Sequence, residues 1–566
     1  MRAEETAPPG HTDATGQAGT SWPADPGQPG ASARPGGSEG TRAAEVDDAM
    51  PAGAPGARHW MVPPMPGSAF WGWAGPLLVT LLGAFLRFNR LSVPKAVVFD
   101  ETYYVGDAWG ILQHGVEIEH VKNANALLAG GSTRILAGTQ SELVAHPPLG
   151  KIMMAVGEWM FGLTPFGWRF AVALVGSLGI LMLARIVRRM TRSTLLGCVA
   201  GLLMALDGLE LVLSRTAILD IFVMFWVLAA FGLLVIDRDR TRARLAAAAA
   251  AMAVGGGDTA DEEGGPKLGI RWLRVLAGVC LGCATACKWN GAWFILAFGG
   301  LVIAWDLGAR RAAGFSSRLF GVLRSDAKWL PLWFGLVPAI VYVASWTGWF
   351  ATPYGYDRNG AALNNGHATS TIAAWLGYNK WMLQFGLGLS SGQTYKSNPL
   401  GWLVLARPIS FYSACLPAKA CGSAHSTEQE VLAIGTPLIW WGAIGALLFC
   451  LVWWLLRRDW RAGAALLGVA AGWLPWIWFS WHDHRTEFYY YAVVFEPFMI
   501  IAITLCLGLI IGPTRASPGR RAVGAVVSGA YLLAVLANFA YLYPILTAQV
   551  IPYSSWLSRM WFHSWI

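Results

Sequence analysis

Charged residues are scarce in this chain of 566 residues: only 13% are Asp, Glu, Lys or Arg, whereas 55% are hydrophobic. Because soluble domains carry about 25% charged residues, this composition excludes an ordinary soluble enzyme and predicts a polytopic membrane protein. The net charge of +9 does not indicate nucleic-acid binding. The basic residues lie in short clusters between apolar segments, a pattern typical of membrane topology signals.

Cysteine is also rare, since eight residues are too few for a disulfide scaffold. Cys280, Cys283 and Cys287 recur at helical spacing inside an apolar run, which favours small packing residues over a metal site. Cys415 and Cys421 bracket a short polar stretch of a long loop. A local disulfide is predicted there if the loop is extracytoplasmic.

Aliphatic side chains are almost missing from residues 1–65, which are rich in Pro, Gly, Ala and polar residues. This composition predicts a disordered tail ahead of a transmembrane catalytic domain at 66–566. The tail is not a signal peptide, because no apolar core follows the initial Met-Arg. A tether is the favoured role, and a regulatory or docking role stays open.

About eleven apolar segments are long enough to cross a bilayer at roughly twenty residues each. They are residues 71–89, 167–187, 194–212, 217–236, 272–287, 290–306, 329–350, 435–456, 462–480, 488–512 and 522–543. Basic clusters follow every second segment, and placing them in the cytoplasm gives a consistent topology. The tail is then cytoplasmic, the C-terminus is external, and two long extracytoplasmic loops cover residues 90–166 and 351–434.

An acidic pair, Asp100 and Glu101, stands in the first long loop, directly after the first predicted span. Carboxylates beside a bilayer are costly to keep ionised, so such a pair usually has a partner or a function. The apolar stretch at 149–163 of the same loop is too short to span the membrane and predicts an interfacial helix. Alone, an Asp-Glu pair is weak evidence for catalysis.

Further polar and aromatic residues are predicted at the same outer face. They are His146 and Lys151 in the motif HPPLGK, Arg169, Arg215, Asp220, Lys288, Trp402, Arg407, Arg485 and Tyr491. Arg and Lys neutralise phosphate, and a carboxylate can act as a general base. The combination suits an anionic lipid headgroup beside a hydroxyl that is to be deprotonated.

Each of these features also has a simpler interpretation. HPPLGK could be a plain turn, and HDH at 482–484 is more typical of a solvated helix end than of a metal site. Arg215 and Asp220 are five residues apart, so they do not share a helix face and could each serve interhelix pairing. Only their combination on one face favours a functional site.

Five motifs resemble, in order, the signatures of the protein O-mannosyltransferases: DETYY, HPPLGK, LMALDGLELVLSRTAILD, LGCATACKWNG and EFYYYAVVFEPF. The resemblance covers about residues 71–545 and is to bacterial members of actinobacterial type. It implies the GT-C fold, an all-α polytopic membrane glycosyltransferase that uses a dolichyl or polyprenyl phosphate mannose donor. The second loop is too short for the β-trefoil domain of the eukaryotic enzymes.

The resemblance also implies roles for residues at matching positions. Asp100 corresponds to the carboxylate that activates the acceptor, Glu101 to a neighbour that positions acceptor or donor, and Arg169 to an arginine near the donor phosphate. His146 and Lys151 belong to a loop beside the active site.

Other roles rest on chemistry or are weaker. Lys288 and Arg407 are assigned to the phosphate by charge and predicted face. Tyr491 lies in YYY, where the eukaryotic pattern is rich in His, so its role is the least supported.

The predicted reaction moves mannose to Ser or Thr of exported polypeptides at the outer face of the cell membrane, with inversion and with Asp100 as general base. No metal or other cofactor is expected, because phosphate beside fixed cations is an adequate leaving group. The secretion machinery is a candidate partner.

Three alternatives stay open. One is another lipid-donor transferase that moves arabinose or aminoarabinose to a glycan or lipid. A transporter would show internal repeats and charges near the bilayer midplane, and neither is evident in the sequence. The third is a non-enzymatic scaffold or an inactive partner subunit, against which the Asp-Glu pair argues.

Overall fold

The structure is a computed structural model that describes residues 61–255, 264–363, 370–390, 392–417, 421–423 and 425–566. Most of the predicted N-terminal tail, residues 1–60, lies outside the described residues. In chain order the α-helices are α1 (Ala69–Phe88), α2 (Glu101–His114), α3 (Ala124–Ala129), α4 (Leu149–Phe161), α5 (Pro165–Thr191), α6 (Thr194–Ala205), α7 (Gly208–Leu213), α8 (Asp220–Gly255), α9 (Trp272–Cys287), α10 (Ala292–Ala312), α11 (Arg318–Ser325), α12 (Val337–Ser345), α13 (Thr347–Ala351), α14 (Thr371–Gly388), α15 (Pro437–Arg457), α16 (Trp460–His482), α17 (Glu496–Ile511), α18 (Pro518–Leu546) and α19 (Tyr553–Leu557).

Tighter or wider helical turns join several of these helices. They are the 3₁₀ turns Trp289–Gly291, Ala327–Trp329, Pro399–Gly401, Tyr489–Val494 and His563–Trp565, and the π-helical turn Pro331–Leu336. The strands are β1 (Ile118–His120), β2 (Leu136–Ser141), β3 (Ile409–Leu416), β4 (Thr427–Ala433) and β5 (Val550–Pro552).

Eight helical stretches in the described part of the chain are long and apolar enough to cross a membrane. They are α1, α5, α8, α10 with its preceding turn, the run from α11 to α12, α15, α16 and α18. Three shorter apolar helices, α6, α9 and α17, stand where the sequence predicts the other three spans. The segments 194–212 and 488–512 are not the continuous helices that the sequence predicts, whereas α9 has the same bounds as the short span predicted at 272–287.

Polar and cyclic residues explain two of the interruptions. The segment 194–212 breaks before α7, because the Asp207 carboxylate accepts the backbone N–H groups of Leu209 and Glu210 and starts a new helix. The segment 488–512 begins as the 3₁₀ turn Tyr489–Val494, and Pro497 then occupies the first turn of α17. Proline fits that position because it needs no hydrogen-bond donor there.

The two long loops between spans are folded. In the first, β1 and β2 pair antiparallel, and α2 packs against α4, which packs against α5. The predicted interfacial helix is α4, whose Val156, Trp159 and Met160 are exposed. In the second, β3, β4 and β5 form an antiparallel sheet in that order, so the C-terminal segment joins this loop.

The cysteines fall into two groups. Cys415 and Cys421 are joined by a disulfide at the end of β3. Cys280, Cys283 and Cys287 on α9 are free, and the first and last are buried. Gly278 and Gly282 of the same helix let it approach the backbone of Trp333 and Pro338 closely. The α9 cysteines therefore lie on a tightly packed helix.

A buried ionic network ties together helix ends at α8, α9 and α10. Arg274 Nη2 lies 2.8 Å from Asp306 of α10, and its Nε lies 2.9 Å from Asp237 of α8. Arg271, just before α9, contacts both of the same carboxylates. Arg271 and Arg274, at the start of α9, therefore help to hold three helices in place.

Candidate functional site

Asp100 is positioned by the turn that begins α2. The preceding residue, Phe99, has a left-handed backbone (φ 47°), and its ring stacks on Phe411 of β3 at a centroid distance of 4.6 Å. The Asp100 carboxylate makes no capping bond to its own helix. It accepts a hydrogen bond from the Tyr490 hydroxyl at 3.1 Å instead. Both long loops and the turn before α17 thus determine where this carboxylate points.

The surroundings of Asp100 favour a proton acceptor near neutral pH. Burial raises the pKa of its carboxyl to about 6, against the opposing effects of Lys288 and of the Tyr490 hydrogen bond, while Asp220 raises it further. The residue as a whole nevertheless keeps some solvent exposure. A carboxylate with a pKa close to the working pH is suited to general-base catalysis.

A buried lysine provides the nearest cation. Lys288 follows the last residue of α9, and its Nζ donates to both carboxylate oxygens of Asp220, the first residue of α8, at 2.8 and 3.0 Å. The same Nζ lies 4.1 Å from the ring centre of Tyr491 and 5.5 Å from that of Tyr490. The ammonium is therefore held beside the aromatic ring that binds Asp100.

His146 contributes a neutral imidazole. Burial, then Lys288, Lys151 and Arg485, hold the pKa of His146 well below its usual range. Its ring centre lies 6.2 Å from that of Tyr104, which is one helical turn after Asp100 on α2. At neutral pH His146 is uncharged and can accept or donate a hydrogen bond.

An aromatic wall borders this cluster. Tyr491 stacks on Trp476 with centroids 4.5 Å apart and meets Trp402 edge-on at 6.4 Å. The Arg485 guanidinium lies over Trp476 at 4.9 Å and over Tyr491 at 5.8 Å. The wall thus brings Trp402, Arg485 and Tyr491 beside Lys288.

Glu101 has a different environment from its neighbour. Its fully buried carboxylate accepts two hydrogen bonds from Arg169, both at 2.8 Å, and the backbone N–H groups of Val98 and Ala217 at 3.0 and 2.9 Å. The other guanidinium contacts of Arg169 are with three backbone carbonyl oxygens just before Asp100. Glu101 and Arg169 together hold the backbone that precedes Asp100 in place. The phosphate role of Arg169 stays a prediction.

Three other predicted residues are engaged elsewhere. Arg215 donates to four backbone carbonyl oxygens at the end of α1 and does not pair with Asp220. Arg407 donates to carbonyl oxygens of Ser564 and Ile566 near the C-terminus. Lys151 donates to the His146 carbonyl oxygen at 3.2 Å. Their substrate-binding roles stay predictions that no contact with Asp100 supports.

The sequence prediction missed Tyr490 and Tyr104. Tyr490 is part of the YYY motif, next to Tyr491. The sequence of the motif does not indicate which of these hydroxyls contacts Asp100. Tyr104 lies four residues after Asp100, so helical spacing alone could have placed both on one face.

Potential metal ligands do not gather at HDH in the part of the chain that is described, where the His482 ring stacks on Trp478. The group whose ligand atoms come close together is Asp107, His120 and Glu142, in the first loop.

A bundle of apolar helices with two folded loops, and with a buried lysine near an acidic residue, is the arrangement of a multispanning glycosyltransferase of the GT-C class. The family model for dolichyl-phosphate-mannose-protein mannosyltransferase matches residues 77–257. The model for the C-terminal four-helix region of protein O-mannosyltransferases matches residues 371–565.

Relatives with assigned functions agree. The polyprenol-phosphate-mannose–protein mannosyltransferase of Mycobacterium tuberculosis is 36% identical over 507 residues, which cover 87% of this chain and 92% of the relative. That of Corynebacterium glutamicum is 33% identical over 508 residues, covering 87% and 93%. The chain belongs to the protein O-mannosyltransferase family.

A solved structure supports the fold. The S. cerevisiae protein O-mannosyltransferase Pmt1-Pmt2 complex bound to the sugar donor matches with a TM-score of 0.66, covering 89% of this chain and 93% of the matched chain at 13% identity.

Proposed function

We propose that this chain transfers mannose from polyprenol phosphate mannose to Ser or Thr hydroxyls of exported proteins. Family membership supports this, as do relatives whose names carry the same donor and a protein acceptor. The acceptor meets the site during or after export, which makes the secretion machinery a candidate partner.

The site faces the extracytoplasmic side of the plasma membrane in this proposal. Basic clusters at the opposite helix ends support that orientation through the preference of Lys and Arg for the cytoplasm. The Cys415–Cys421 disulfide in the second loop supports it independently, because disulfides persist in oxidising compartments. Residues 1–65 are then a cytoplasmic tail, and residues 66–566 are the catalytic domain.

Asp100 is the general base, and the observation that carries this role is its position. Its carboxylate is oriented by Tyr490 at 3.1 Å and lies in the field of Lys288, in a residue that is partly exposed. It takes the acceptor hydroxyl proton as the oxygen attacks the anomeric carbon from the side opposite the phosphate. Such a direct displacement inverts the configuration at that carbon.

Lys288 stabilises the leaving polyprenol phosphate. Negative charge grows on the phosphate as the glycosidic bond breaks, and a pre-positioned ammonium in a dry site stabilises that charge strongly. Asp220 holds the ammonium in place through two hydrogen bonds. Arg485 adds positive charge at the aromatic wall. The chemistry on these residues is metal-independent.

The test measures transfer of radiolabelled mannose from polyprenol phosphate mannose to a Ser/Thr-rich peptide by the purified protein in detergent. Asp100→Asn keeps the shape of the side chain and removes the base, so we expect a loss of at least about 100-fold in rate. The matched control is Asp483→Asn, which removes an exposed carboxylate just before Arg485 and leaves the rate near wild type.

Full activity of Asp100→Asn would refute the base assignment. Absence of transfer from the mannosyl donor by folded wild type, with transfer from a polyprenyl-linked arabinose or aminoarabinose, would replace mannose with another sugar.

A further inference from the structure

A cluster of potential metal ligands lies in the first loop, away from Asp100. Asp107 of α2, His120 at the end of β1 and Glu142 just after β2 each direct one ligand atom to a common point, all within 4.8 Å of one another. His120 Nε2 is 3.6 Å from Asp107 Oδ1 and 3.4 Å from Glu142 Oε2. Three separate segments of the loop therefore meet at this cluster.

These separations fit a shared ion better than direct hydrogen bonds. An N–H···O bond spans about 2.7–3.2 Å, which is shorter than either distance. Tetrahedral coordination with bonds of about 2.0–2.1 Å places neighbouring ligand atoms about 3.3–3.4 Å apart.

The three ligand atoms are buried and make no hydrogen bond of normal geometry to any described residue, although the Asp107 and Glu142 carboxylates lie close enough to interact with each other. The Asp107 side chain is only 3% exposed, and its Oδ1 has no hydrogen-bond partner among the described residues. The same holds in that part of the chain for His120 Nε2 and Glu142 Oε2. A buried polar atom without a partner is destabilising, and three of them converge here.

The charge of the cluster is a second, independent reason to expect a bound cation. Lys151 pairs with Glu117 at 2.5 Å and lies 3.5 Å from Asp107 Oδ2. Three carboxylates, one ammonium and a neutral imidazole carry a net charge of about −2 when the acids are ionised. Burying that charge uncompensated is unfavourable, and one divalent cation neutralises it.

We propose that Asp107, His120 and Glu142 bind a divalent first-row transition-metal ion, with Zn²⁺ as the probe that fits best. An imidazole with two carboxylates favours Zn²⁺ over Mg²⁺ or Ca²⁺, which prefer all-oxygen sites. Glu142 is 24% exposed and gives the ion a route of entry from solvent.

The site is structural rather than catalytic. Asp107 follows Asp100 by seven residues on the same helix, a distance of about 10 Å along its axis. Lys151, which adjoins the cluster, also donates to the His146 carbonyl oxygen at 3.2 Å. The ion would therefore fix the helix that carries Asp100 to the segment that carries His146. This inference does not depend on the identity of the transferred sugar.

The experiment uses the full-length protein, purified without a His tag and stripped with a chelator. Zn²⁺ titration followed by elemental analysis should give about one Zn²⁺ per chain and a higher unfolding temperature. Glu142→Gln and His120→Gln should each weaken Zn²⁺ binding at least about tenfold, because each removes a ligand. Glu119→Gln, an exposed residue of the same strand, should bind as wild type does.

X-ray absorption at the zinc edge of the wild-type protein keeps the proposal testable if a variant fails to fold. Oxygen and nitrogen neighbours at about 2.0–2.1 Å, including one imidazole, would support it. Sulfur neighbours or several imidazoles would overturn it, as would absence of saturable Zn²⁺ binding, in which case the cluster holds protons instead. Unchanged binding in both ligand variants would also overturn it.

Discussion

At the scale of single residues, Asp100 and Glu101 are chemically similar neighbours with opposite environments. Glu101 is fully buried, and four hydrogen bonds engage its carboxylate. Asp100 keeps some exposure and accepts one hydrogen bond from Tyr490. Two carboxylates with different surroundings can take different roles, here the proposed base and a structural anchor.

The Tyr490 hydrogen bond should set the pH at which Asp100 becomes active. Transfer by wild type should rise as pH increases through about 6, because the base works only when deprotonated. Tyr490→Phe removes a bond that favours the charged form, so the pKa of Asp100 should rise and the acid limb of kcat/KM should move up by roughly one pH unit. The surrounding charges, Lys288 and Asp220, stay in place.

Tyr489→Phe is the matched control for this pH profile. Tyr489 is equally buried in the same turn, but its hydroxyl accepts the N–H of Gly435. Its variant should keep the acid limb near that of wild type. An unshifted limb in Tyr490→Phe would show that this bond does not control the titration.

Lys288 should affect both donor use and the titration of Asp100. Lys288→Gln removes the charge that stabilises the leaving phosphate, so kcat/KM should fall by at least about tenfold. It also removes a charge that lowers the pKa of Asp100, so the acid limb should move to higher pH. The exposed Lys328→Gln is the control. A lower rate with an unmoved acid limb would show that Lys288 does not affect the titration of Asp100.

At the scale of elements, α2 carries both Asp100 and the packing contact that fixes the first loop. A Cβ added at Gly106 of α2 would collide with the imidazole of His120, the last residue of β1, which packs against α2 because position 106 has no side chain. Helix and hairpin are therefore in close contact through this glycine. The sequence predicts a loop here, whereas the packing of helix on hairpin appears only in three dimensions.

Gly106→Ala should destabilise the protein by about 1–3 kcal/mol, the usual effect of overpacking. The measurement is thermal unfolding in detergent. Gly299→Ala on α10 is the control, because a Cβ there meets nothing within 4 Å and alanine favours the helix by up to about 1 kcal/mol. Equal stability of the two variants would mean that α2 and the hairpin can separate without a loss of folding stability.

At the scale of the whole molecule, the two ends of the helix bundle use charge differently. At the end with Asp100, Lys288 donates two hydrogen bonds to Asp220 and lies beside an aromatic wall. The end with Arg271 and Arg274 pairs guanidinium groups with Asp237 and Asp306. Such a paired, buried network locks helices together, whereas at the first end the proposed partner of Lys288 is the phosphate of the donor.

Asp306→Asn should lower stability without changing the chemistry. It removes one of the two carboxylates that Arg271 and Arg274 share and leaves Asp237 to face both guanidinium groups. Loss of a partner in a buried ion pair costs up to about 3–5 kcal/mol and should appear as a lower unfolding temperature. Transfer per folded molecule should stay near wild type. The control is Arg461→Gln, whose side chain is 31% exposed and whose pair with Asp459 is worth less than about 1 kcal/mol. A large rate loss in folded Asp306→Asn would connect this network to catalysis.

The sequence alone determined the membrane class, the order of the motifs and most helix positions, because long apolar runs and basic clusters are local signals. It also identified Asp100, Lys288 and His146 as candidates. Helix breaks at Asp207 and before Pro497 were missed, since a polar cap inside an apolar run hardly changes the average hydrophobicity.

Only the tertiary structure decided which residues work together. Asp220 and Lys288 are 68 positions apart, and Asp100 and Tyr490 are 390 apart. No local pattern connects such pairs, because their contacts depend on how distant helices and loops pack. The same packing engages Arg215 and Arg407 with backbone carbonyl oxygens, although charge and predicted face had indicated substrate binding for both.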